Sequence, residues 1–235
     1  MSINVSIKGA KAVLFDLDET LWPVGPVLQH AEATLFQWVS INTPEVARNY
    51  SIESMRGHRK AMISTNPRFQ YDLWALRHAM LTKLFGEHGE DVTKADLAMA
   101  VFADARNKVE LFDDVLPALD KLRERVVLGS VSNGFADLKA IGLAPYFKVS
   151  IAAHTFGCAK PDPRIFAAAC EALQLAPKDI VFVGDDLLLD VEGAQRAGMQ
   201  AVWVDRKRLQ PHELPHPHVK PHAVIHELGA LLEWI

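Results

Sequence analysis

The sequence predicts an α/β protein: a doubly wound parallel sheet with helices on both faces, and a helical bundle inserted after the first strand. Three observations carry this. Short apolar runs ending in an acid or small polar residue recur along the chain, helix-period segments separate them, and one long stretch shows helical period alone. The 235 residues suffice for one large domain or two small ones. A composition of 49% hydrophobic and 23% charged residues is that of a chain with a real core, which excludes disordered, collagenous and coiled-coil proteins.

Residues 12–16 (AVLFD) read as a fully buried strand. The same shape returns at residues 126–132 (VVLGSVS), 149–153, 180–185 (IVFVGD) and 201–205 (AVWVD). Between them, residues 114–123 place Val115, Leu119 and Leu122 on one helical face, with Pro117 in the first turn where its missing N–H costs little. Helices are expected over 165–173 and 191–197, and a last one over 224–234 closes the chain.

Residues 22–111 carry no convincing strand. Leu28, Ala31, Leu35, Phe36 and Val39 form one stripe, and Leu73, Arg77, Met80, Leu81 and Leu84 another. Thr93 and Asp96 resemble a capping pair opening a helix that would bury Leu97 and Val101. A strand-to-strand crossover needs only about a dozen residues. The expected organisation is therefore a core of residues 1–21 and 112–235, with a helical domain of residues 22–111.

The net charge of −4 and a pI near 6.2 leave no footprint for nucleic acid or a membrane surface. Two cysteines, Cys158 and Cys170, make no disulfide framework. No apolar run reaches the roughly 18 residues of a membrane span, and the first residues lack a signal-peptide pattern. A cytoplasmic location is expected.

Reactive residue types gather at strand ends. The first strand gives DLDET with Asp16 and Asp18, the second Ser132, Asn133 and Gly134, and the fourth GDDLLLD with Asp185, Asp186 and Asp190; Lys160 lies in AKPDP before a helix. In an open parallel sheet the C-terminal strand ends converge on one crevice. Converging carboxylates repel unless neutralised, and an all-oxygen cluster suits Mg²⁺. A lysine and a hydroxyl at a turn complete a pocket for a tetrahedral oxyanion such as phosphate. A carboxylate nucleophile with a positive clamp is the equipment of phosphoryl transfer through an aspartyl-phosphate.

Taken in order, DLDET, the SN pair, the lysine of AKPDP and GDDLLLD resemble the four motifs of the haloacid dehalogenase (HAD) superfamily, over the whole chain. The resemblance implies a Rossmann-like core and a phosphatase acting on a small phosphate ester. It makes Asp16 the nucleophile and Asp18 the general acid/base, and assigns Asp16, Asp185 and the Asp18 carbonyl to Mg²⁺. Asp190 would hold a metal water or Lys160, and Ser132, Asn133 and Lys160 would bind the phosphoryl group. Glu19 departs from the pattern, standing where many members have Gly. The family inserts a cap at one of two places: 116 residues separate Asp16 from Ser132 but only 28 separate Ser132 from Lys160, so the insert is the helical cap after the first strand. GDDLLLDVEGAQRAGMQAVWV and GLAPYF resemble the branch acting on flavin mononucleotide and phosphorylated ribitylaminouracil.

Other residues have plainer readings. Asp186 suits a helix N-cap, and both cysteines suit the core. The prolines among His212, His216, His218 and His222 keep those histidines from converging on a metal, which favours a surface loop. Arg206, Lys207 and Arg208 read as a solvated turn. Trp22, Arg56, Trp74 and Arg77 are candidates for contact with the substrate's non-phosphate part, by stacking or anion pairing. Two competing functions stay open: a metal-free haloacid dehalogenase, a branch that lacks the acid two residues after the nucleophile, and a non-enzymatic phospho-acceptor module. A monomer and a homodimer are equally compatible with the sequence.

Overall fold

The structure, a computed structural model, describes residues 7, 9–213 and 215–235. Six strands, β1 (Ala12–Phe15), β2 (Val127–Ser132), β3 (Val149–Ala152), β4 (Ile180–Gly184), β5 (Gln200–Val204) and β6 (Ala223–Ile225), form one sheet in the order β3-β2-β1-β4-β5-β6. Every pairing is parallel. The central strands β1 and β4 are wholly buried, as expected of apolar runs covered on both faces. Strand order reverses at β1, whose neighbours are β2 and β4, so the crevice of a doubly wound sheet opens at its C-terminal end. Registers align Phe15 with both Ser130 and Val183, so three strands end at nearly the same level.

The described chain divides into two compact units. One runs to Pro23, resumes over Glu110–Gly134 and completes with Gly142–Ile235; the other comprises Val24–Val109 and Phe135–Ile141. Trp22 and residues 110–111, expected in the helical insert, belong to the sheet-bearing unit, and a short segment beyond β2 joins the helical one. The helical unit contains α1 (Val24–Asn42), α2 (Pro44–Asn49), α3 (Ile52–Met62), α4 (Leu73–Glu87) and α5 (Lys94–Arg106). Ala31, Leu35 and Val39 of α1 pack with Met80, Leu81 and Leu84 of α4 in a core closed by Met99 and Phe102 of α5.

The expected stripe of α5 is on the wrong face. Leu97 is 61% exposed and Val101 half-buried, whereas Ala95, Ala98, Met99, Phe102 and Ala105 are buried. The Thr93 side chain does not cap the helix; its hydroxyl and N–H donate instead to Asp91 Oδ1. Small alanines let α5 approach α1 closely, and helix approach overrides the apolarity of single residues. In the sheet-bearing unit, α6 (Val115–Leu122) shows the face read from sequence. The segment 224–234, expected as one helix, is β6 followed by a 3₁₀ stretch over Leu228–Glu233. Among the described residues no helix is long and apolar enough to cross a membrane.

Candidate active site

Asp16, Asp18, Ser132, Asn133, Lys160, Asp185 and Asp190 line one cavity of about 160 Å³ at the C-terminal strand ends. Lys160 is its electrostatic centre. Its side chain is 2% exposed, and Nζ donates to Asp16 Oδ1 at 2.5 Å and Asp190 Oδ1 at 2.6 Å. Burial works against the ammonium, but Asp16 and Asp190 outweigh it and hold the lysine above its ordinary pKa. Asn133 places the lysine: its Oδ1 accepts the Lys160 N–H at 2.8 Å while Nδ2 donates to the Lys160 carbonyl at 3.1 Å. Asn133 therefore acts on the lysine's main chain, and Ser132 Oγ accepts the Gly134 N–H at 3.0 Å.

After β4 the chain makes a wide π turn over Leu187–Glu192. Asp186 caps it, accepting from the Leu188 and Leu189 N–H groups. The wide turn brings Asp190 back over Gly184, where any Cβ would collide with the Asp190 carboxylate. Only glycine fits under that carboxylate. Both Asp190 oxygens are engaged, since Oδ2 also accepts the Asp186 N–H at 3.0 Å. Asp185 is held from behind by Trp203, whose Nε1 donates to the Asp185 carbonyl at 2.7 Å.

One carboxylate oxygen from each of Asp16, Asp185 and Asp190 lies within 4.8 Å of the others. One ammonium does not balance three carboxylates. Burial, then the charges of Asp16 and Asp190, push Asp185 up to about 8. Asp190 rises to about 6, mainly by burial, with Lys160 opposing. Asp16 is also raised, by burial foremost.

The β1 turn folds back on itself. Asp18 Oδ1 accepts the Trp22 indole N–H at 2.8 Å, and Glu19 N–H donates to the Trp22 carbonyl. Glu19 adopts φ 60°, the left-handed region that glycine enters freely and that a residue with a Cβ enters only with strain.

Of the four residues suggested for substrate contact, Trp22 is fully buried and holds Asp18, so it has no ring face to offer. Arg77 is buried over the Phe102 ring and 3.5 Å from Glu32. Arg56 pairs with Glu32 at 2.6 Å and with Glu53 at 3.2 Å. Trp74 is half-buried, edge-on to Phe135. Three contacts escaped the sequence reading. Thr20 Oγ1 stands 3.4 Å from Asp16 Oδ2, Trp203 supports Asp185, and half-buried Arg206 pairs with Asp114 instead of lying in a solvated turn. Thr20 alone had a signal, its place two residues past Asp18. Of the histidine-rich stretch, His212 and His218 are exposed, and His222 Nδ1 accepts the Ala201 N–H.

Fold and crevice define a class: a doubly wound α/β enzyme whose acidic crevice surrounds one lysine. The chain belongs to the haloacid dehalogenase-like hydrolase family, whose model matches residues 10–198. It is a hydrolase of that family. It is 29% identical to the 5-amino-6-(5-phospho-D-ribitylamino)uracil phosphatase of Escherichia coli, over 95% of each chain. It is 31% identical to the glyceraldehyde 3-phosphate phosphatase of Methanopyrus kandleri, covering 86% of this chain and 87% of that one. Among solved structures it resembles a 2-haloacid dehalogenase from Pseudomonas syringae pv. Tomato, with a TM-score of 0.87 and 33% identity over 95% of this chain and 97% of that one.

Proposed function

We propose that this protein is a Mg²⁺-dependent phosphatase of small phosphorylated metabolites, working through an aspartyl-phosphate on Asp16. The carrying observation is the single cavity lined by Asp16, Asp18, Ser132, Asn133 and Lys160, which assembles a nucleophile, an acid and an oxyanion clamp. Asp16 attacks phosphorus as the ester P–O bond breaks, and Asp18 gives its proton to the departing alkoxide. Lys160 and the Ser132 turn hold the phosphoryl oxygens. The Asp18 carboxylate then takes a proton from the water that attacks the acyl phosphate, which releases inorganic phosphate and restores Asp16.

The donor set fits Mg²⁺, because the clustered ligand atoms of Asp16, Asp185 and Asp190 are all hard carboxylate oxygens. Asp16 and Asp185, with the Asp18 carbonyl, would hold the ion while Asp190 fixes Lys160 and accepts the Asp186 N–H. Bound there, Mg²⁺ would neutralise charge on the phosphoryl oxygens. The likeness of the E. coli relative supports a phosphorylated ribitylaminouracil as the first substrate to try, with flavin mononucleotide, which the sequence resemblance implies, as the second. The helical unit is the proposed source of specificity.

A dehalogenase reading is favoured by the P. syringae neighbour, but a departing halide needs no proton, which leaves the Trp22-held Asp18 without a task. The test is release of phosphate from a metabolite panel with and without EDTA, beside chloride release from 2-chloropropionate. EDTA-sensitive phosphate release is expected. Chloride release without phosphate release overturns the reading.

A further inference from the structure

Arg206 follows β5 in a run of three basic residues, yet its side chain is only 11% exposed. Its guanidinium is spent on three segments far apart in sequence, one of them the chain after β6, where Nη1 donates to the His226 carbonyl at 3.3 Å. Nη2 and Nε donate to the Thr20 carbonyl at 2.8 and 3.3 Å. Nη1 donates to Asp114 Oδ1 at 2.8 Å, and the group stacks 4.3 Å from the centre of the Phe112 ring. Asp114 is tied in turn to the chain after β6, its Oδ2 accepting the Leu228 N–H at 2.6 Å. Phe112 N–H donates to the Leu21 carbonyl at 3.0 Å. The segments around Thr20 and Phe112 are those at which the chain leaves the sheet-bearing unit and returns to it.

Thr20 is fully buried, with its hydroxyl 3.4 Å from Asp16 Oδ2 and 3.5 Å from Asp185 Oδ1. A hydroxyl placed between two carboxylates keeps them apart and oriented only if its own backbone is immobile. The Thr20 carbonyl is the fixed point, and Arg206 holds it with a fork that a lysine cannot reproduce.

We propose that Arg206 is a positioning residue for the reaction: by clamping Thr20 to Asp114 and Phe112, it sets the relative placement of Asp16 and Asp185. The inference rests on the reading of Asp16 as nucleophile. Its loss acts on the alignment of groups already bound to substrate, so it falls on kcat and spares KM. Loss of alignment of this kind costs on the order of 10- to 100-fold.

The experiment compares kcat and KM on p-nitrophenyl phosphate for wild type, Arg206→Ala, Arg206→Lys and Lys207→Ala, each checked for folding by circular dichroism. Folded Arg206→Ala is expected to lose kcat at least about tenfold with KM within about threefold. Millimolar methylguanidinium should restore part of the loss, since Arg206 lines a cavity of about 250 Å³ that admits a small cation. The exposed neighbour Lys207 controls for charge, and its removal should leave kcat within about twofold. If Arg206→Ala does not fold, Arg206→Lys carries the test with the same deficit expected, because it keeps the charge facing Asp114 without the fork. A folded Arg206 variant with kcat near wild type overturns the proposal, as does an equal loss in Lys207→Ala. A wild type that hydrolyses no phosphate ester sinks the phosphatase reading itself, and is told apart because the wild-type rate is zero.

Discussion

Asp16 and Asp18 stand two residues apart at the end of β1, and their neighbours differ in a way that suits the two tasks proposed for them. Asp16 is bonded to the Lys160 ammonium, Asp18 to the Trp22 indole. An ammonium holds a carboxylate ready as a nucleophile, whereas a neutral N–H donor leaves the second oxygen of Asp18 able to carry a proton. Asp16→Asn should therefore abolish turnover while keeping the fold and ester binding, since the amide is isosteric but not nucleophilic; residual kcat above about a tenth of wild type removes Asp16 from that role. Asp18→Asn should cut kcat by about 10²- to 10⁴-fold for alkyl phosphates and by less for p-nitrophenyl phosphate, whose leaving group needs little protonation. Equal losses on the two substrates would show that Asp18 delivers no proton.

At the scale of elements, the helical unit has its own charge centre. Glu32, buried on α1, meets Arg56 and Arg59 of α3 and Arg77 of α4. Burial raises the Glu32 pKa, but the Arg56 and Arg59 hydrogen bonds and the Arg77 charge outweigh it and leave it lowered. A carboxyl lowered on folding stabilises the folded state above its unfolded value near 4.5, and that contribution disappears as pH falls through the folded value. Glu32→Gln should destabilise at neutral pH by roughly 3 kcal/mol, because it leaves buried Arg77 without its counter-charge. The gap in melting temperature between variant and wild type should narrow as pH drops below 4.5; a gap constant from pH 7 to pH 3 would mean that packing, and not charge, sets the effect. The same unit shows where periodicity misleads. α4 buries Met80, Leu81 and Leu84 as its pattern implies, while α5 turns its alanines inward and leaves Leu97 in solvent.

For the whole molecule, the acidic crevice stores repulsion that a divalent cation would relieve. An ion that binds only the folded chain stabilises it by mass action, about 2.7 kcal/mol at a hundredfold excess over its dissociation constant. Mg²⁺ should raise the melting temperature and EDTA should reverse the gain. Asp185→Asn should be more stable than wild type without metal and gain nothing from Mg²⁺. A metal response unchanged in Asp185→Asn would place the ion elsewhere.

Strands β1 to β5 and the crevice were legible because both follow local rules. Buried parallel strands are continuous apolar runs, and the doubly wound topology carries DLDET, the SN pair, Lys160 and GDDLLLD to one edge however the helices pack. The sequence alone therefore determined the fold class and which residues meet in the crevice, down to Asp186 as a cap. The partners of each reactive group lay beyond its reach. Trp22 read as a substrate contact and is the support of Asp18; Arg206 read as solvated and is clamped between Thr20 and Asp114; residues 224–234 read as a helix and begin with an edge strand. Only the tertiary structure decided these, because the free energy of a guanidinium or an indole N–H depends on which acceptor is brought within about 3 Å, and those acceptors come from strand ends and linkers far away in sequence.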